Sequence, residues 1–122
     1  MADLTLRGVP QPAPDGGVVV LEVEGEVDLD TVAVLRSRLE EADRRGEVRL
    51  VMDLDKTTYV NSSALAVLVR FARSFQERGG GMALVHVSAR VRLVFEMLGL
   101  HPFFTFFDSI EMATRSLAHG PG

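Results

Sequence analysis

The chain has 122 residues, a formal net charge of −4, and 47% hydrophobic against 25% charged side chains. That is the make-up of a folded globular domain, and a mildly acidic balance with no basic cluster argues against nucleic acid as the main partner. It contains no cysteine, which removes disulfides and thiolate metal sites, and no apolar run long enough to insert in a membrane. The expectation is one domain over 1–122, with its core at about 4–118, in a reducing cytoplasmic setting and without a cofactor.

Leu4 and Leu6 alternate with Thr5 and Arg7, the pattern of a weak first strand. The Pro- and Gly-rich stretch 10–17 reads as a turn or loop. Val18 to Glu24 reads as a second strand, forming a hairpin with the first. Val19, Leu21 and Val23 share one face. Glu22 and Glu24 lie on the other face with Val18 and Val20, so part of that face is expected to meet water. Gly25-Glu26-Val27-Asp28 reads as a loop, with Asp28 or Asp30 available to cap the next helix. Val32, Leu35, Leu39 and Ala42 recur at helical spacing, the charges between them form a solvated face, and Gly46 is the expected stop.

Val48 to Leu54 is a short, β-branched apolar run, read as a buried strand. Asp55 to Val60 reads as a turn. Asn61-Ser62-Ser63 precedes an apolar run of helical length, and Asn and Ser side chains suit the free amides of a first helical turn. Along this helix Arg70, Arg73, Ser74 and Glu77 form a polar stripe. Continued back by steps of three and four, it passes through Ala66, Val67, Ser62 and Ser63. The outer face is thus expected to be small and apolar beside the hydroxyls, as a docking surface needs, unless a neighbouring loop covers it.

Gly79-Gly80-Gly81 follows a helix and precedes a strand, the reverse of a phosphate-binding loop, so it reads as a stop and tight turn. Met82 to Val87 is the next strand. Ser88 caps a helix to Leu98 with Val91, Val94, Phe95 and Leu98 inward. Phe103 to Phe107 is a last strand, read first as core, with an outward pair leaving a homodimer open. Asp108 or Ser109 caps a final helix to Ala118 with Ile110, Ala113 and Leu117 inward, and 119–122 is expected to fray. The order β-β-α-β-α-β-α-β-α implies a mainly parallel α/β sheet after an N-terminal β-hairpin. With sequential strands side by side, the helices fall mostly on one face and leave the other uncovered.

The order of elements and the motifs Gly25-Glu26-Val27-Asp28, Asn61-Ser62-Ser63-Ala64-Leu65, Gly80-Gly81 and Met97-Leu98-Gly99-Leu100 resemble the STAS domain family, in particular bacterial anti-sigma factor antagonists. The resemblance spans about Leu4 to Leu117. Asn61 stands where the family has Asp, and Ala64 where it has Gly. The resemblance implies a regulator that binds an anti-sigma factor, itself a serine protein kinase, in partner switching. It implies phosphorylation at Ser62, and a partner surface of Gly25, Glu26, Asp28, Asn61, Ser62, Ser63, Ala66 and Val67. The alternatives are a non-switching subunit (a signalling scaffold or a transporter accessory) and a small-ligand-binding domain on the open sheet face.

An enzyme is not expected. The serines lack a Gly-x-Ser-x-Gly elbow and no His lies near them in sequence. His86 reads as a strand residue, structural or surface, His101 as a loop residue, and His119 as tail. Asp53 and Asp55 lie on one side of their strand without any further ligand pattern, so a strand end and a turn residue is preferred to a metal or acid/base pair.

Overall fold

The computed structural model describes residues 3–11 and 17–118. The expected loop at 12–16 and the frayed tail with His119 lie outside the described residues. Five strands form one sheet in the order β1-β2-β3-β4-β5. They are β1 (Leu4–Pro10), β2 (Val18–Val27), β3 (Arg49–Val60), β4 (Gly81–Val85) and β5 (Thr105–Phe107). β1 runs antiparallel to β2, and the remaining pairs are parallel. The α-helices are α1 (Val32–Arg45), α2 (Ser62–Glu77), α3 (Ala89–Met97) and α4 (Ile110–Ala118).

The period-2 pattern of the strands divides the apolar residues between two faces. Val19, Leu21 and Val23 of β2, Leu50, Met52 and Leu54 of β3, and Met82 and Leu84 of β4 face the main core. The inner stripes of α1, α2 and α3 close that core, with Phe75 and Phe95 fully buried. Phe95 meets the rings of Phe104 and Phe106 edge-on at 5.3 and 5.7 Å. Of the phenylalanines expected in one strand, Phe103 sits instead in a short 3-10 turn, His101–Phe103, and Phe104 follows it outside β5, because Pro102 cannot donate to a sheet ladder.

The second face differs from the expectation. Val18, Val20, Val51, Ala83 and Val85 form a smaller core there, and α4 lies across it through Ala113, Ile110 and Leu117. Small residues at Ala83 and Ala113 allow the helix to come close. The carboxylates Glu22 and Glu24 reveal only the far half of this face; the near half is apolar and covered.

Two strands outrun their expected ends. Gly25, Glu26 and Val27 continue β2, and Asp55 to Val60 continue β3 rather than turning, with Gly25 opposite Thr57 and Val27 opposite Val60. β4 stops at Val85 and β1 reaches only to Gly25, so the last residues of β2 and β3 form a two-stranded ribbon exposed on much of its surface. That exposure is why its sequence is polar and reads as a turn. β3 gains one extra residue at each of two register shifts, and such bulges bend and twist a strand. The buried Thr57 hydroxyl, donating to the Val23 carbonyl at 2.8 Å, pins the ribbon between them.

Beyond β4, His86 takes a left-handed backbone (φ 56°) and is a bend residue, not a strand residue. Leu98 is 55% exposed rather than inward. It caps the end of α3, and Leu100 packs against the core instead.

The Phe95 cluster joins α3 to the edge strand. Phe95→Ala is expected to cost about 3–5 kcal/mol, measured as a drop in the urea unfolding midpoint at constant slope. A loss below about 1 kcal/mol would mean that the cluster is not a core element.

Candidate functional site

The C-terminal ends of β2 and β3 set the site. β3 ends at Val60, and the Asn61 N–H donates to the Val27 carbonyl at 2.9 Å. This bond places the start of α2 beside the turn that leads from β2 into α1. Asn61 is extended (φ −86°, ψ 172°), and its side-chain oxygen accepts the Ala64 N–H at 2.8 Å. A neutral amide is sufficient for this cap. Ser62 and Ser63 then open α2 with both side chains exposed, and Ala66 is exposed one turn further on.

Val67 does not join them; it is 8% exposed and belongs to the core. The expected stripe fails there because of α1. Arg78 reaches across to the Asp43 carbonyl of α1 at 2.7 Å, and Val67 lies eleven residues before it, about three helical turns, hence on the same side. The outer face of α2 therefore runs through Ser62, Ser63, Ala66, Arg70 and Arg73, with Val69 half-buried. Ala64 is fully buried, so its methyl group points into the core and not toward a partner.

The turn before α1 is held by its own side chains. One carboxylate oxygen of Asp28 accepts the N–H of Asp30 at 2.9 Å and of Thr31 at 3.1 Å. The buried Thr31 hydroxyl donates to the Glu26 carbonyl at 2.6 Å, and the same oxygen lies 2.9 Å from the Asp28 N–H that it accepts. Asp28 thus organises the turn through one carboxylate oxygen. Gly25 is structural too. Its φ is 123°, and a Cβ there would lie 2.1 Å from the Asp3 carbonyl oxygen. Glu26 remains exposed. Sequence reasoning stopped at Asp28 and missed Leu29, the next residue, whose signal is an apolar side chain between two aspartates in a turn.

Asp53 and Asp55 are joined by a local hydrogen bond. The Asp53 carboxylate accepts the Asp55 N–H at 3.1 Å, and the same oxygen lies 2.9 Å from Nδ1 of His86. Both aspartates lie inside β3, not at a strand end and a turn, and these contacts tie the residue after β4 to the middle of β3. On the uncovered half of the second face, a cleft of about 170 Å³ is lined by Thr5, Arg7, Glu22, Val23, Glu24, Asp53, Asp55 and Lys56.

The family model described as STAS domain matches residues 10–113. The chain is 28% identical over 102 residues to the anti-sigma F factor antagonist of Paenibacillus polymyxa, covering 83% of this chain and 87% of that one. Its fold is similar to an anti-sigma factor antagonist from Mycobacterium paratuberculosis, with a TM-score of 0.77, 22% identity and 94% of each chain covered. It is also similar to the Bacillus cell fate determinant SpoIIAA in the phosphorylated form, with a TM-score of 0.68, 22% identity, and 93% of this chain and 98% of that one covered.

The geometry at Gly25 separates scaffold from contact. Gly25→Ala is expected to destabilise the fold by about 1–3 kcal/mol through strain and the clash with β1, read by thermal unfolding. An unchanged midpoint would reassign Gly25 to the partner surface.

Proposed function

The chain belongs to the STAS domain family, and on that premise we propose that it is an anti-sigma factor antagonist that binds an anti-sigma factor of the serine-kinase type. In this reading Ser62 is the phosphoacceptor, and its phosphorylation ends the complex. The observation that carries the reading is an exposed hydroxyl on the first turn of a well-capped helix, beside small side chains and an ordered acidic turn.

The physical consequences follow from charge and position. A phosphate on Ser62 adds about −1.5 to −2 charges at neutral pH. The N-terminus of α2 favours that charge by roughly 0.3–1 kcal/mol, so the helix is not melted. No acidic residue in the first turn of α2 opposes it. A partner packed on Ser62 and Ala66 meets added bulk and an anion that loses its hydration on burial, which is costly. The phosphate therefore acts on the interface and leaves the fold in place. Asn61 keeps the cap without adding a second negative charge beside the phosphate.

The partner surface is Ser62, Ser63, Ala66 and Glu26, with Asn61, Asp28 and Gly25 positioning them. Bacterial partner switching takes place in the cytoplasm, and that setting belongs to the proposal.

Two measurements test this. Incubation with the source organism's serine-kinase-type anti-sigma factors and ATP, read by intact-mass spectrometry, is expected to add one phosphate that Ser62→Ala abolishes. Retained binding without phosphate incorporation would instead make the chain a non-switching subunit. Ser62→Asp is expected to weaken partner affinity at least about tenfold by calorimetric titration, a change of about 1.4 kcal/mol, while shifting stability by less than about 0.5 kcal/mol. An unchanged affinity would contradict the switch.

A further inference from the structure

The turn beside Ser62 carries a feature that the phosphoacceptor does not explain. Leu29 is 79% exposed, the highest among the large hydrophobic side chains exposed in the described residues. Ala33 is also exposed, and Val34 is 46% exposed, both on the first turn of α1. The three fall within six residues of chain, on a turn and helix start whose backbone is fixed by Asp28 and Thr31. An apolar side chain held in water on a rigid turn has already lost the turn's conformational freedom, which lowers the cost of binding.

The surrounding charge says what could cover it. Glu26, Asp28 and Asp30 flank Leu29, and no Lys or Arg occurs from Val18 to Leu35. None of the three carboxylates takes part in an ion pair among the described residues. A second copy docking here about a two-fold axis would bring the same carboxylates face to face, which is repulsive.

We propose that Leu29, with Ala33 and Val34 beside it, is an apolar anchor for a different protein, and that the partner pocket it enters is apolar and bordered by Lys or Arg. The inference rests on the antagonist reading and gives the partner's chemistry at a point that Ser62 does not touch. The Asn61–Val27 hydrogen bond sets the two points side by side, so one partner surface spans both.

The two points respond to charge in a way that identifies them. Adding a negative group at Ser62 weakens the complex through bulk and desolvation. Removing a negative group at Asp30, whose side chain is exposed, weakens it through lost attraction to the basic border. Opposite changes in charge thus act in the same direction.

The test titrates the source organism's purified serine-kinase-type anti-sigma factors against the full chain and its variants. Leu29→Ala is expected to lower affinity at least about tenfold, as for an interface anchor, with an unchanged unfolding midpoint. Asp30→Asn is expected to slow association and flatten its dependence on salt. Leu29→Ala binding within about twofold of the parent chain overturns the anchor, as does Asp30→Asn leaving the salt dependence of association unchanged. If Ser62→Asp still weakens binding in that case, the antagonist reading stands alone. If no such factor binds the parent chain, the antagonist reading fails first and the anchor falls with it.

Discussion

The hydrogen bond from the Asn61 N–H to the Val27 carbonyl closes the β2–β3 ladder, and the geometry of the site depends on it. Without it, the first turn of α2 and the turn into α1 would be two unrelated loops. With it, the exposed hydroxyls of Ser62 and Ser63 stand next to an acidic turn that its own side chains have already ordered. The bond is reached only because β2 and β3 continue past the end of β4, and because two extra residues in β3 re-aim its last turn of chain. A bulged ribbon is a local departure from regular pairing, and here it delivers a helix start to a defined place.

The sheet itself was largely legible from the amino-acid order. Val19, Leu21 and Val23 alternate as a half-buried strand should, and Val32, Leu35, Leu39 and Ala42 mark the inner stripe of α1. Gly46 and Gly79 end helices in left-handed conformations, and Gly80 sits so close to the Val48 carbonyl that a Cβ would clash. What was not legible was tertiary. Placing α4 on the second face needs the knowledge that Val18, Val20, Val51, Ala83 and Val85 meet there. Those residues are far apart in sequence, and Glu22 and Glu24 pointed the other way because the same face is half covered and half open.

At the site, local chemistry was readable and longer-range burial was not. An Asn before two serines and an apolar run specifies a capped helix start, and Asn61 makes the expected bond. Val67 shows the limit of helical periodicity: its angle on the wheel matches the polar stripe, but α1 covers that side. Asp55 to Val60 shows the opposite failure. Polar residues in a solvent-exposed ribbon look like a turn, although their backbones pair as a strand. Gly25 and Asp28 also have internal work that a motif does not display, the first allowing β1 to pass close by and the second holding the turn.

The account assigns the switch to surface chemistry on an unchanged fold, with phosphate accommodated by the helix it modifies and excluded by the partner. Hydrogen exchange on the phosphorylated and unphosphorylated chain tests that claim most directly. The predicted result is equal protection at the Asn61 amide and along α2 beyond its first turn, with differences confined to that first turn and the turn before α1. Loss of protection through α2, or release of the Asn61 amide on phosphorylation, would contradict it.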